Sequence, residues 1–350
     1  MTPRANPRSA PVEDTATIKM SFADNGLALR LFGAHHAHLA LIEQKLAITI
    51  NARGNILSIS GPEDALNAAR TVLEGLYGRL DRGLEVDREE VDAVLRMAMV
   101  PGRDVADADL VIRTPKRRIS PRTPGQADYV RTMDDYELVF GLGPAGTGKT
   151  YLAVAKGLER LAKGEVERII LTRPAVEAGE QLGFLPGDMR EKVDPYLRPL
   201  YDALNDMLPG EQVATRMERG EIEVAPLAFM RGRTLANAFV ILDEAQNTTA
   251  VQMKMFLTRL GENSRMVITG DLSQVDLPRG RRSGLREGVE ILNKVANVAF
   301  IHFTDADVVR HTLVTDIVRA YDEAERLSKT SARYEKGESA GGRDRPSEDD

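Results

Sequence analysis

The sequence predicts an α/β fold in which a mostly parallel sheet is flanked by helices, preceded by a small α+β domain. Two observations support this prediction. From residue 126 onward, short apolar runs alternate with helical patterns, and most of the runs are continuously apolar rather than alternating, as in strands buried on both faces. Residues 15–80 carry shorter strand and helix patterns of their own, which is typical of a separate module.

Composition narrows the class of protein. A chain of 350 residues can bury one large core and a smaller one, and 42% hydrophobic with 29% charged residues excludes a fibrous or wholly disordered protein. Cysteine is absent, which excludes disulfides, thiolate metal sites and a cysteine nucleophile. No leader-like segment and no long apolar run is present, so we expect a cytoplasmic protein without a membrane partner.

Five segments are expected along the chain. Polar composition rich in Gly, Pro and Ser predicts disorder for residues 1–14 and 329–350. Between them we expect the α+β module at 15–80, a helical and basic, Pro-rich linker at 81–125, and the large α/β domain at 126–328.

Within the module, the patterns predict two strands (TIKMSF and LALRLF), a helix (HLALIEQKL), a hairpin (AITI and ILSIS) and a closing helix (EDALNAARTVLEGLYGRL). The hairpin turn is expected at Arg53-Gly54-Asn55, because Gly and Asn tolerate a positive φ. The linker begins with an amphipathic helix (REEVDAVLRMAM). It ends in a basic stretch, interpreted as either a solvated linker or a local patch for nucleic acid, that contains Arg113, Lys116, Arg117, Arg118 and Arg122.

The large domain opens with a glycine-rich motif. Its strands are predicted at ELVFGLG, RIILT, EIEVA, AFVILD, RMVITG and NVAFIHF. The first of these runs into G-x-x-x-x-G-K-[ST], which is followed by a helical pattern, the context that a phosphate-binding loop requires. The candidate nucleotide-binding residues of this loop are Gly143, Pro144, Ala145, Gly146, Thr147, Gly148, Lys149 and Thr150.

The residue types explain the expected chemistry of this loop. Glycines allow successive backbone amides to surround the β-phosphate, and the following helix adds the positive end of its dipole. Lys149 is expected to reach the β and γ oxygens, and the hydroxyl of Thr150 is expected to bind Mg²⁺.

Three further side chains complete the candidate site. Asp243 ends a buried strand, where a carboxylate can hold the metal, and Glu244 next to it is suited to orient an attacking water. Hydrolysis is therefore favoured over kinase chemistry. The alternative role for Asp243 and Glu244 is that of a surface acidic pair that caps the helix that follows. Gln274, after another buried strand, can sense the γ-phosphate, and Gln126, ahead of the loop, can pair with adenine. Because no N-K-x-D turn is present, the expected ligands are ATP and Mg²⁺ rather than GTP.

Four stretches together resemble one family: GPAGTGKTYLA, TRPAVEAGEQLGFLPGDMREKVDPYLRPLYDAL, RGRTLANAFVILDEAQNTT and ITGDLSQVDLP. They are similar to the PhoH-like proteins, bacterial ATPases with a RecA-like P-loop NTPase core, over roughly residues 15–325. The core also resembles the first motor domain of superfamily 1 helicases, which implies the roles given above for Gln126, Asp243, Glu244 and Gln274.

Those helicases have a second motor domain that supplies arginines to the transition state, and this chain is too short to hold one. The resemblance therefore implies a homo-oligomer, such as a ring, or an arginine from the same domain. The candidate arginines are Arg281, Arg282, Arg286 and Arg310. The stretch from Arg173 to Leu204 corresponds to a helicase loop that contacts single-stranded nucleic acid, and its mixed charges fit a subunit interface equally well.

The N-terminal module resembles a KH-like RNA-binding fold. His36 stands where the second glycine of the KH G-x-x-G loop belongs, so RNA binding and protein docking both remain open for this module. The resemblance implies Mg²⁺-dependent ATP hydrolysis coupled to handling of single-stranded RNA, as in RNA metabolism or ribosomal RNA maturation. The alternative is a nucleotide-gated assembly scaffold for a protein partner such as an endoribonuclease.

Overall fold

The computed structural model of the chain describes residues 16–99, 110–174, 189–278 and 280–309, together with the single positions 314, 317 and 320. Side chains are described from residue 195 onward in the third of these ranges. The two terminal segments predicted to be disordered lie outside the described residues.

Strands and helices alternate along the described chain. The strands are β1 (Ala16–Ser21), β2 (Thr49–Arg53), β3 (Ile56–Gly61), β4 (Ile112–Arg113), β5 (Arg118–Ile119), β6 (Leu138–Leu142), β7 (Arg168–Arg173), β8 (Ile222–Pro226), β9 (Ala238–Leu242), β10 (Arg265–Gly270) and β11 (Val298–His302). The α-helices are α1 (Asn25–Phe32), α2 (Ala37–Leu46), α3 (Glu63–Asp81), α4 (Arg88–Ala98), α5 (Pro124–Asp135), α6 (Lys149–Lys163), α7 (Met189–Met207), α8 (Gly210–Glu218), α9 (Ala250–Leu257) and α10 (Gly284–Leu292).

The six predicted strands of the large domain form one parallel sheet in the order β11-β6-β10-β9-β7-β8. The α/β prediction is therefore confirmed. Every residue of β6 and β9 is buried, which explains why these runs are continuously apolar. Because the strands are parallel, the segments that follow β6, β9 and β10 leave the sheet at the same edge.

Helices cover both faces of this sheet. On one face, α5, α6 and α7 share a core with residues such as Phe239 and Ile241 of β9. On the other face, α9 and α10 pack against the alternate residues of the same strand, Val240 and Leu242. Helix α6 approaches the sheet closely at Gly157, where a Cβ atom would lie 2.9 Å from the ring of Phe239. The middle of α6 therefore lies directly on the sheet, and the helix begins at Lys149, immediately after the loop.

The N-terminal strands form a separate antiparallel sheet in the order β1-β3-β2. The predicted hairpin is confirmed, with Arg53 paired to Ile56 and Gly54 at a φ of 63° in the turn. The strand predicted at LALRLF is wrong, because this segment lies in α1. The carboxylate of Asp24 caps that helix. In a half-buried strand, Leu29 would point to the core together with Leu27 and Leu31, but it is 69% exposed.

Residues between this module and the large sheet pack closely on both. Helix α4 contributes Val91 and Val94 to the N-terminal core. The basic stretch contains the β4–β5 hairpin, which contacts α7: Lys116 donates to the Asn205 carbonyl at 3.0 Å, and Arg117 pairs with Asp206 at 2.8 Å. None of the helices in the described parts of the chain has the length and apolar character that a bilayer crossing requires.

Candidate functional site

The glycine-rich loop connects β6 to α6 at the carboxyl edge of the parallel sheet. Gly143, Gly146 and Gly148 have φ angles of 145°, 84° and 78°, which favour glycine. A Cβ atom on Gly143 would also lie 2.5 Å from the carbonyl oxygen of Phe303. Helix α6 begins without a side-chain cap, so its first amides face the loop, as in sites that bind anions.

The ammonium group of Lys149 lies inside this loop. Its Nζ donates to the carbonyl oxygens of Gly143 at 2.7 Å and Pro144 at 2.8 Å, and it lies 3.3 Å from the hydroxyl of Thr147. The residue is only 9% exposed. The loop therefore holds a positive charge at its centre.

Asp243 links the loop to two neighbouring strands. Its Oδ1 accepts hydrogen bonds from the hydroxyl of Thr150 at 2.5 Å and from the hydroxyl of Thr269 at 2.7 Å. The carboxylate follows β9, Thr150 lies in the first turn of α6, and Thr269 lies on β10. Asp243 is 5% exposed, so hydrogen bonds from these two hydroxyls, more than water, stabilise the carboxylate. Thr269 was not among the predicted site residues.

The carboxylate of Glu244 contacts two side chains, those of Gln246 and Arg173. Its backbone has a φ of 52°, a conformation that glutamate rarely adopts. One carboxylate oxygen accepts a hydrogen bond from Nε2 of Gln246, and the other lies 3.6 Å from Nη2 of Arg173. Gln246 is 1% exposed and also accepts from the amide of Asp271 at 3.1 Å. Sequence reasoning had given no role at this site to Gln246 or Arg173.

The turn after β10 forms the opposite wall. Asp271 accepts hydrogen bonds at Oδ1 from the amide and the hydroxyl of Ser273, at 2.9 and 2.6 Å. The amide of Gln274 donates to the carbonyl of Asp271 at 3.2 Å, which closes the turn. Gln274 is exposed and faces the cavity described next.

These segments surround a cavity of about 270 Å³. The predicted site residues that line it are Ala145, Gly146, Gly148, Lys149, Thr150, Asp243, Glu244 and Gln274. Gly143, Pro144 and Thr147 belong to the same loop through the Lys149 contacts. Motifs from distant parts of the sequence thus meet around one volume.

Gln126 contacts the loop from beneath instead of lining the cavity. Its Nε2 donates to the carbonyl of Thr147 at 3.0 Å, and its Oε1 accepts from the amide of Arg122 at 2.7 Å. The residue is 4% exposed. In this structure both ends of the amide bind the chain itself, so pairing of Gln126 with adenine stays a prediction.

The three candidate arginines that the structure describes do not line the cavity. Arg282 pairs with Glu290, and Arg286 donates to the carbonyl of Leu272 at 3.3 Å. Arg281 is exposed and does not line the cavity, and Arg310 lies outside the described residues. The structure therefore does not bring the described members of this set to the site.

Two tyrosines near the loop stay protonated. Burial raises the pKa of Tyr151 to about 12, and its 2.6 Å hydrogen bond to Asp206 acts in the same direction. Burial also raises the pKa of Tyr129, whose ring packs under Gly141, and the charge of Asp243 adds to that effect. Neither phenol can act as a proton acceptor at neutral pH.

The residues at the loop fit a magnesium ion. Across the described ranges, no cluster of three or more His, Asp or Glu side chains is arranged to hold a metal. Mg²⁺ at nucleotide sites needs less from the protein, because one or two oxygen ligands combine with substrate phosphates and water. The paired oxygens of Thr150 and Asp243 supply that set.

A loop of this geometry at the carboxyl edge of a parallel sheet places the protein in the class of P-loop NTPases. The family model for PhoH-like protein matches residues 118–322. A PhoH-like protein of Bacillus subtilis is 50% identical over 85% of this chain and 94% of its own length. Protein PhoH of Escherichia coli K12 is 48% identical over 76% of this chain and 75% of its own length. The chain belongs to the PhoH-like family.

A more distant likeness is to a solved structure, the SWI2/SNF2 ATPase core of Sulfolobus solfataricus in complex with dsDNA. Its TM-score is 0.32 at 15% identity, covering 46% of this chain and 34% of that chain, an overlap that carries no argument about function. Fold and family together support a nucleotide-binding ATPase.

Proposed function

We propose that this protein hydrolyses ATP in a Mg²⁺-dependent reaction at the cavity described above. The observation that carries the proposal is the 2.5 Å contact between the hydroxyl of Thr150 and Oδ1 of Asp243. It joins the phosphate loop to the acidic strand end across 93 positions of sequence. A threonine hydroxyl beside a carboxylate is the arrangement by which P-loop enzymes hold the metal of a metal–nucleotide complex.

Each side chain has a distinct role in this proposal. Lys149 exchanges the carbonyls of Gly143 and Pro144 for the β and γ oxygens of ATP. Thr150 and Asp243 hold the metal, which when bound neutralises charge that develops on the phosphates. Glu244 orients the attacking water, and Gln274 contacts the γ-phosphate from the opposite wall.

Gln126 has a role in positioning. Because it binds the carbonyl of Thr147, it fixes the loop from beneath, and movement of the same amide would allow it to meet adenine. The absence of a guanine-reading turn in the sequence supports ATP over GTP. Competition between ATP and GTP for the purified protein tests this preference.

Hydrolysis is tested by paired lysine variants of α6. We expect Lys149→Ala to abolish turnover, because the loop loses the charge that meets the phosphates. Lys163→Ala, on the last turn of the same helix with an exposed side chain paired to Glu159 at 3.2 Å, is expected to leave turnover unchanged. Parent-like hydrolysis by Lys149→Ala would contradict the assignment.

Glu244→Gln separates binding from chemistry. We expect it to retain ATP affinity and lose turnover, because the amide keeps the shape of the side chain but is a weaker acceptor for the water proton. Loss of nucleotide binding would instead give Glu244 a structural role. Release of labelled inorganic phosphate, without transfer to another acceptor, would dispose of the kinase alternative.

We further propose that hydrolysis serves RNA handling in a homo-oligomer. Family resemblance and the N-terminal module support this proposal. In that module, His35 and His36 are exposed at φ angles of 52° and 61°, in the turn that corresponds to the KH loop.

Stimulation of ATP hydrolysis by single-stranded RNA would support a role in RNA handling. Indifference to RNA, with nucleotide-dependent binding of an endoribonuclease, would favour the scaffold. Light scattering reports the subunit number.

A further inference from the structure

The proposed reaction needs positive charge at the γ-phosphoryl group, and one arginine of this chain lies beside the cavity. Among the described residues, the three arginines expected from sequence after β10 do not line it. Arg173, the last residue of β7, is not a lining residue itself but contacts one, because its Nη2 lies 3.6 Å from Oε1 of Glu244. Glu244 lines the cavity.

The sheet order places Arg173 on the γ-phosphate side of the site. Strand β7 is the direct neighbour of β9, with Thr172 paired to Leu242. The amide of Asp243 donates to the carbonyl of Thr172 at 2.9 Å, so Arg173 follows immediately beside the acidic strand end. The phosphate loop follows β6, which is separated from β7 by β10 and β9. In the proposed function the γ-phosphate lies towards Asp243 and Glu244, so Arg173 lies beside the distal end of the triphosphate.

The present contacts of Arg173 are long and easily exchanged. Nη1 donates to the carbonyl of Tyr196 in α7 at 3.3 Å, and the ion pair with Glu244 spans 3.6 Å. The side chain of Arg173 is 23% exposed and that of Glu244 is 38% exposed, so water screens the pair. A triphosphate carries more negative charge than one carboxylate, and a guanidinium binds phosphate oxygens through two parallel hydrogen bonds.

We propose that Arg173 is a catalytic residue of this ATPase: its guanidinium leaves Glu244 when ATP binds and contacts the γ-phosphoryl group. The proposal rests on the hydrolysis proposed above. The same movement frees the Glu244 carboxylate to orient water. The water oxygen bonds to the γ-phosphorus and gives up a proton to the Glu244 carboxylate, while the bond from that phosphorus to the bridging oxygen breaks and its electron pair stays with ADP. Glu244 then returns the proton to inorganic phosphate or to solvent.

Arg173→Ala tests this role. We expect the single-turnover rate to fall about 10³-fold, as for other arginines that stabilise this transition state, with ADP affinity unchanged within about threefold. Arg173→Lys keeps the positive charge but loses the planar guanidinium that can donate two parallel hydrogen bonds. We expect its single-turnover rate to lie between those of the parent and Arg173→Ala. Arg219→Ala, which follows α8 and has a side chain that is 69% exposed, serves as the matched control and is expected to behave as the parent.

A transition-state mimic separates catalysis from structure. We expect Arg173→Ala to lose binding of ADP with aluminium fluoride while it retains ADP and the parent unfolding midpoint. Equal loss of ADP and of the fluoride complex would make the role structural and overturn the proposal. Hydrolysis by Arg173→Ala within about threefold of the parent, or faster, would also overturn it and direct attention to an arginine from a second copy. Lys149→Ala distinguishes this failure from failure of the proposed function, because only the latter leaves Lys149→Ala active.

Discussion

Thr269→Val probes how the buried carboxylate at the centre of the site is held. The hydroxyl of Thr269 is fully buried and donates to Oδ1 of Asp243 at 2.7 Å. Valine keeps the shape of the side chain and removes the donor, so Asp243 retains only the hydroxyl of Thr150 on that oxygen. Hydrogen bonds to charged groups contribute about 1.5–3 kcal/mol, and we expect the free energy of unfolding to fall by about that amount.

Thr172→Val is the matched control on the neighbouring strand β7. Thr172 is also fully buried, but its hydroxyl has no hydrogen-bond partner among the described residues. Replacing an unpaired buried hydroxyl by a methyl group removes a desolvated polar atom and breaks no bond. We expect Thr172→Val to change the free energy of unfolding by less than about 0.5 kcal/mol or to stabilise the protein.

Urea unfolding of the parent and both variants measures this difference directly. The Mg²⁺ concentration for half-maximal hydrolysis provides a second readout, and we expect Thr269→Val to raise it about tenfold, because residues that orient a metal ligand affect affinity on that scale. Equal stability of the two valine variants would refute the reasoning. So would an unchanged Mg²⁺ requirement in Thr269→Val.

Three further outcomes are expected. Gln246→Leu should lower the free energy of unfolding by about 1–3 kcal/mol, because the amide of Asp271 loses its acceptor, and should slow hydrolysis. Hydrogen bonds from Arg233 hold the pKa of Glu223 below its usual range. The stability that this pair adds is therefore present above the pKa of the unfolded chain and is lost as the pH falls through the lowered pKa of the folded protein. The difference in urea midpoint between the parent and Glu223→Gln should accordingly vanish in acid. EDTA should stop hydrolysis without changing the urea midpoint.

The parallel sheet could be predicted because its signal is local. Runs such as AFVIL in β9 and MVI in β10 are apolar at every position, as burial on both faces of a central strand requires. The glycine-rich loop is equally local, since the φ angles of Gly146 and Gly148 restrict those positions to residues without a side chain. In α1 the local signal misled, because apolar residues at Leu27, Leu29 and Leu31 also fit a strand.

Contacts between distant strands could not be predicted from spacing. The bond from Thr269 to Asp243 depends on β10 lying beside β9, and the pairing of Arg173 with Glu244 depends on β7 lying on the other side. Strand order is set by how the helices pack the sheet, which no single segment encodes. The residues that support the site were therefore missed although each is adjacent to a predicted strand end.

A crystal structure with Mg²⁺ and a non-hydrolysable ATP analogue tests the central claim most directly. We expect the triphosphate to lie along residues 143–150, with the metal bound to the hydroxyl of Thr150 and Asp243 within reach of its coordination shell. A nucleotide bound elsewhere, or a metal in this cavity that contacts neither side chain, would contradict the account.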